Sequence, residues 1–120
     1  MKVLKRAEFL ALQHKVIYAE LREGTMDFGP LHILCGASGS NDFVSIPLGV
    51  EIDAHDSESL WDKIEQLRQQ QAEFKYCNDN SSRDGTFDGD EVRFLVFDRR
   101  DTQDLVKQLI DVCGQIPVGF

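Results

Sequence analysis

A chain of 120 residues, 42% hydrophobic and 28% charged, has the size and make-up of one folded domain spanning residues 1–120, which excludes both a disordered chain and a membrane-spanning one. Its formal net charge of −8 excludes nonspecific nucleic-acid binding, whose affinity comes from neutralising phosphates with Lys and Arg. Three widely spaced cysteines, Cys35, Cys77 and Cys113, have no CxxC pairing and no partner His at metal spacing, and read as reduced apolar residues.

The opening MKVLKRAEF is charged every few positions and has no apolar h-region, so no secretory leader is expected and the chain is expected to remain in the cytoplasm. Val3 and Leu4 suit a short first strand, and Lys5 to Leu12 are good helix formers for one or two turns. From Lys15 to Leu21, Val16, Tyr18 and Glu20 alternate with Ile17, Ala19 and Leu21, the pattern of a strand. Arg22 to Thr25 turn the chain, and Asp27, Gly29 and Pro30 bend it again before a strand from Leu31 to Cys35. The run Gly36 to Ser40 is small and polar like a phosphate loop, but it lacks the Lys and the full Gly spacing and leads into a strand, Asp42 to Leu48. Short turns between these three strands predict an antiparallel meander.

Asp53, His55 and Asp56 form a metal-like cluster without further ligands at defined spacing. The plainer reading is a polar turn leading to Ser57 or Ser59 as helix N-cap, and an enzymatic role for this cluster, a small hydrolase, is the weakest of the functional readings. Leu60, Ile64 and Leu67, with Trp61 beside them, then mark one face of an amphipathic helix of about fifteen residues, expected to pack on the sheet. Between Asn78 and Asp90, Asn, Ser, Asp and two Gly predict a loop. With Gly85 sixth, Asn80, Ser82, Asp84, Thr86, Asp88 and Glu91 fall on calcium-loop positions, yet the residues after Glu91 alternate like a strand, which favours an acidic turn. That strand runs from Glu91 to Asp98. A helix comes next, with Asp101 as expected N-cap and Leu105, Leu109, Ile110 and Cys113 at helical spacing until Gly114. The tail Gln115 to Phe120 is apolar enough to dock on the body or on a second copy. The sum is an α+β domain: an antiparallel sheet of about four strands with two main helices packed on one face.

The opening MKVLKRAEFLAL, the strand with Tyr18, the Asp27-Phe28-Gly29 turn, Asn41-Asp42-Phe43, the run from Ser82 to Asp88, and the final aromatic strand plus helix together resemble a group of small phage-encoded proteins. Among such proteins it resembles the Thoeris anti-defence sponge family, which sequesters a cyclic ADP-ribose-like signal without degrading it. Gln13-His14-Lys15 before the Tyr18 strand departs from the Pro-Gly-type turn expected there. The resemblance implies a noncatalytic protein, with no cofactor, no metal, no nucleic acid and no membrane. Its partner would be a small nucleotide-derived ligand, held by a homodimer or larger homo-oligomer. It further implies Arg83, Arg99 and Arg100 as phosphate contacts, Phe28, Phe43 and Phe87 as stacking rings, and Asn41 and Asp84, with Asp42 and Asp88, as hydroxyl partners. Against this stand plainer roles, Phe43 and Phe87 as core and Arg83 in a surface ion pair. The rival function is an acidic interaction protein that inhibits a host defence enzyme, including by DNA mimicry.

Overall fold

Alternation of apolar residues builds most of the sheet. In the computed structural model, which describes residues 1–22, 24, 28–37, 42–50, 56–69, 76, 82–84 and 91–120, the strands are β1 (Lys2–Lys5), β2 (Val16–Leu21), β3 (His32–Ala37), β4 (Phe43–Pro47), β5 (Ser82–Asp84) and β6 (Arg93–Val96). The helices are α1 (Arg6–Leu10), α2 (Ser57–Arg68) and α3 (Arg99–Gln115). All six strands form one antiparallel sheet in the order β1-β6-β2-β3-β4-β5. The α+β class and the β2-β3-β4 meander are as expected, and the strand count is higher. The two extra strands are the outermost ones, the short β1 and the polar three-residue β5.

Antiparallel register sorts the side chains into two faces, because directly opposed residues point the same way. One face carries Val96, Tyr18 and His32 on neighbouring strands, and beside them Phe94, Leu34 and Phe43. Here lies the core: Phe9, Tyr18, Leu34, Phe43, Val92, Phe94 and Val96 are buried together. Phe9 enters from α1 and lies flat on Phe94, ring centroids 3.9 Å apart, with its edges toward Tyr18 at 4.8 Å and Phe43 at 5.2 Å. Buried Arg6 extends its guanidinium over the Phe43 ring, 6.0 Å from the centroid.

The other face carries the rows Val3, Leu95, Ala19 and Ile17, Ile33, Ile46. It is apolar, yet only Ala19 among these six is buried, and Val3 is 61% exposed. Two expected packing helices do not cover it. Neither α2 nor α3 contains a buried residue, and Trp61 is 68% exposed. Among the described residues the helix that packs on the sheet is the short α1, whose Phe9 ring fills the hollow among three sheet aromatics. The Cα radius of gyration is 16.9 Å. A compact chain of this length would have about 13.6 Å.

The root of α3 is firmly built. Asp98 is the N-cap, its carboxylate accepting from the Asp101 N–H at 2.9 Å while the Asp101 carboxylate accepts from the Asp98 N–H at 3.2 Å. The expected cap, Asp101, is thus the returning member of a capping box rather than the cap itself. The Thr102 hydroxyl donates to the Asp98 carbonyl at 2.8 Å, and the Met1 amine reaches the Asp101 carboxylate at 2.7 Å. For α2, Asp56 caps by accepting from the Ser59 N–H at 2.7 Å, one residue earlier than the Ser pair suggests. No helix among the described residues is long and apolar enough to cross a membrane.

Candidate functional site

The N-terminal segment concentrates positive charge. Residues 1–22 hold five Lys or Arg against two Glu, a local +3 in a chain of net −8. Strands β1 and β2 flank β6 and run antiparallel to it, so folding brings the start of β1 and the start of β2 to the point where β6 runs into α3. An open groove of about 920 Å³ forms there. Its polar rim is Lys2, His14, Lys15, Arg99, Thr102 and Gln103, with Asp98 as its single carboxylate, and its apolar wall is Leu4, Leu12, Val16, Ile17, Ile33, Val96 and Phe97. Three permanent cations against one carboxylate leave a local excess of +2, and Asp98 is already engaged in the helix cap. The His14 ring holds its Nδ1 3.2 Å from the Lys15 carbonyl, an arrangement in which Nδ1 donates and Nε2 can accept.

Electrostatics at the groove's edge derive from the Met1–Asp101 contact. The hydrogen bond to Asp101 raises the Met1 amine above its ordinary 8.0, and the same bond, with that from the Asp98 N–H next in weight, lowers the Asp101 carboxyl below its ordinary 3.8. Both groups are open to solvent, so their pairing positions the chain end more than it stabilises the fold.

The residues implied as ligand contacts do not converge. Of that set, Arg99 lines the groove and Arg100 is exposed on the same helical turn. Phe43 is fully buried in the core, where its ring has no open face for a ligand. Phe28 is 62% exposed beside Gly29, whose N–H donates to the Glu20 carbonyl at the opposite end of β2. Arg83 and Asp84 lie on β5, the edge strand, with β2, β3 and β4 between it and β6. Four strand spacings of about 4.8 Å separate β5 from β6 by roughly 19 Å, so Arg83 and Arg99 do not share one hollow. Asn41, Phe87 and Asp88 lie outside the described residues, as do the side chains of Arg83 and Asp84, the calcium-type run from Asn80 to Glu91 apart from the backbone of β5 and Glu91 itself, residues 38–40 of the 36–40 loop, Asp53 and His55.

Sequence reasoning missed Lys2, Lys15 and His14 as a group. No motif joins them, and the signal that could have found them is the charge segregation of the first 22 residues. No known protein family, curated protein or solved structure matches the chain. The groove's chemistry therefore rests on its own residues. Cations on a half-apolar wall, with one ring at the rim, suit an anion that also has a flat apolar part. Among the described residues no group of three or more His, Cys, Asp or Glu gathers at metal-binding distance.

Proposed function

We propose that this protein binds an anionic, nucleotide-derived small molecule in the groove between β1, β2 and the root of α3, and holds it without cleaving it. The supporting observation is the local reversal of charge: Lys2, Lys15 and Arg99 face one carboxylate in a chain that is otherwise strongly acidic. Guanidinium and ammonium groups would take the phosphates, and the base would lie against Phe97 and the aliphatic wall. The resemblance to the Thoeris anti-defence sponges supplies the class of ligand, a cyclic ADP-ribose-like signal, and the setting, the cytoplasm of an infected bacterium. In this role the protein is a sink rather than an enzyme.

The test is calorimetric titration of the purified chain with cyclic ADP-ribose and a panel of cyclic nucleotides, then heat release and mass spectrometry of what returns. Binding with recovery of intact ligand is the expected result. Recovery of a cleaved product, or no binding by any member of the panel, overturns the proposal. A second reading, an acidic protein that inhibits a host defence enzyme, draws on the net charge of −8 and the exposed apolar residues of α3. It gains if no nucleotide binds and a host enzyme copurifies and is inhibited.

A further inference from the structure

The groove at the root of α3 is not one-sided, because cross-strand register sorts its apolar lining between the two faces of the sheet. Leu4 opposes Phe94 and Val16 opposes Leu34, so both belong to the core face, where with Leu12 they pack against the aromatic cluster. Ile17 opposes Ile33, and the Phe97 N–H donates to the Ile17 carbonyl at 2.9 Å. That bond continues the ladder and sets Phe97, Ile17 and Ile33 in one row on the opposite face. Every one of these six side chains is half-buried, which leaves part of each open to the groove. The cations lie between the two walls. Counting on from the Tyr18–Val96 pair brings Lys15 opposite Arg99, at the place where β2 begins and β6 passes into α3. Here the groove passes over the end of the sheet from one face to the other.

We infer that the ligand of this groove has two flat heads, a pair of heterocycles joined through a diphosphate. One head lies on the Leu4, Leu12 and Val16 wall and the other on the Phe97, Ile17 and Ile33 row, while the bridge crosses the strand ends at Lys15 and Arg99. The inference rests on the reading of the groove as a site for a nucleotide-derived anion, and it narrows that reading. A single base cannot cover both walls, because the sheet stands between them. Charge agrees: a diphosphate esterified at both ends carries two negative charges, the same as the groove's local excess of +2. Size agrees too, since about 920 Å³ lies near the top of the range of about 300–1,000 Å³ for small-molecule sites.

The test is calorimetric titration of the full chain with diadenosine diphosphate, ADP, AMP and cyclic ADP-ribose, followed by NMR of Leu and Ile methyl groups at saturation. Diadenosine diphosphate is expected to bind at least about tenfold tighter than ADP, although ADP carries more charge, because a second base leaves water. It is expected to shift the methyl signals of both Leu12 and Ile33, which lie on opposite faces, whereas ADP shifts one of the two. A smaller advantage over ADP, or shifts confined to one wall, overturns the inference and leaves the groove a site for one nucleotide. Binding of cyclic ADP-ribose without binding of diadenosine diphosphate also overturns it, and the broader reading then stands. No binding by any of the four overturns both.

Discussion

Phe9→Ala is the sharpest probe of the core. The ring is fully buried, flat on Phe94 and edge-on to Tyr18 and Phe43, and it is the main apolar group that α1 delivers to the sheet. Burial of an aromatic side chain removes about 150–250 Å² from water, or about 4–6 kcal/mol at 25 cal/mol per Å², and partial collapse of the cavity brings the expected loss to about 3–5 kcal/mol. For a domain of this length, with an unfolding entropy of about 0.25 kcal/mol/K, that lowers Tm by roughly 15 °C. Urea unfolding should show a fall in the midpoint with an unchanged slope, while Trp61→Ala on the exposed side of α2 should stay within about 0.5 kcal/mol of the parent. A Phe9→Ala loss below about 1 kcal/mol, no larger than that of Trp61→Ala, refutes the assignment of the aromatic cluster as the core.

Asp98→Ala removes the N-cap of α3 and is expected to cost about 1 kcal/mol, seen as fraying of the first turn by amide hydrogen exchange, with no change at β2 or β3. The Met1–Asp101 latch has two pH limits. The raised amine contributes below its ordinary 8.0 and its contribution is lost as pH rises through the raised value; the lowered carboxyl contributes above its ordinary 3.8 and its contribution is lost as pH falls through the lowered value. Exchange protection at the start of α3 is therefore expected to hold from about pH 4 to 8 and to weaken outside that window. Arg99→Ala and Lys15→Ala are each expected to weaken binding of a phosphorylated nucleotide about tenfold without lowering Tm, as fits loss of one charge-assisted contact. An equal loss of thermal stability would mark either residue as structural.

Local chemistry carried most of the elements. Alternation from Lys15 to Leu21 is strand β2, and the helical spacing of Leu105, Leu109 and Cys113 is α3, which runs one residue beyond Gly114. The insertion of β6 between β1 and β2 was not legible, because pairing across some ninety residues leaves no mark on either segment. Nor was β5, three polar residues whose strand character comes from pairing with β4. Apolar periodicity showed that α3 has a sticky side, but periodicity is silent about which surface that side meets. The candidate site was the least legible. Lys2, Lys15 and Arg99 become neighbours through the same remote pairing, and only the excess of cations in the first 22 residues hinted at it.

Placing β6 beside β1 also sets a timetable for folding. As the chain leaves the ribosome, Lys2–Lys5 lacks its β6 partner until Arg93–Val96 has been synthesised, so this side of the sheet closes only some ninety residues after β1 is made. Such late closure favours slow acquisition of structure and exposes the unfinished edge of β2 to aggregation in the interval. A chain cut short before residue 93 would keep the hairpin strands β2 to β4 and lose the strand that joins β1 to them.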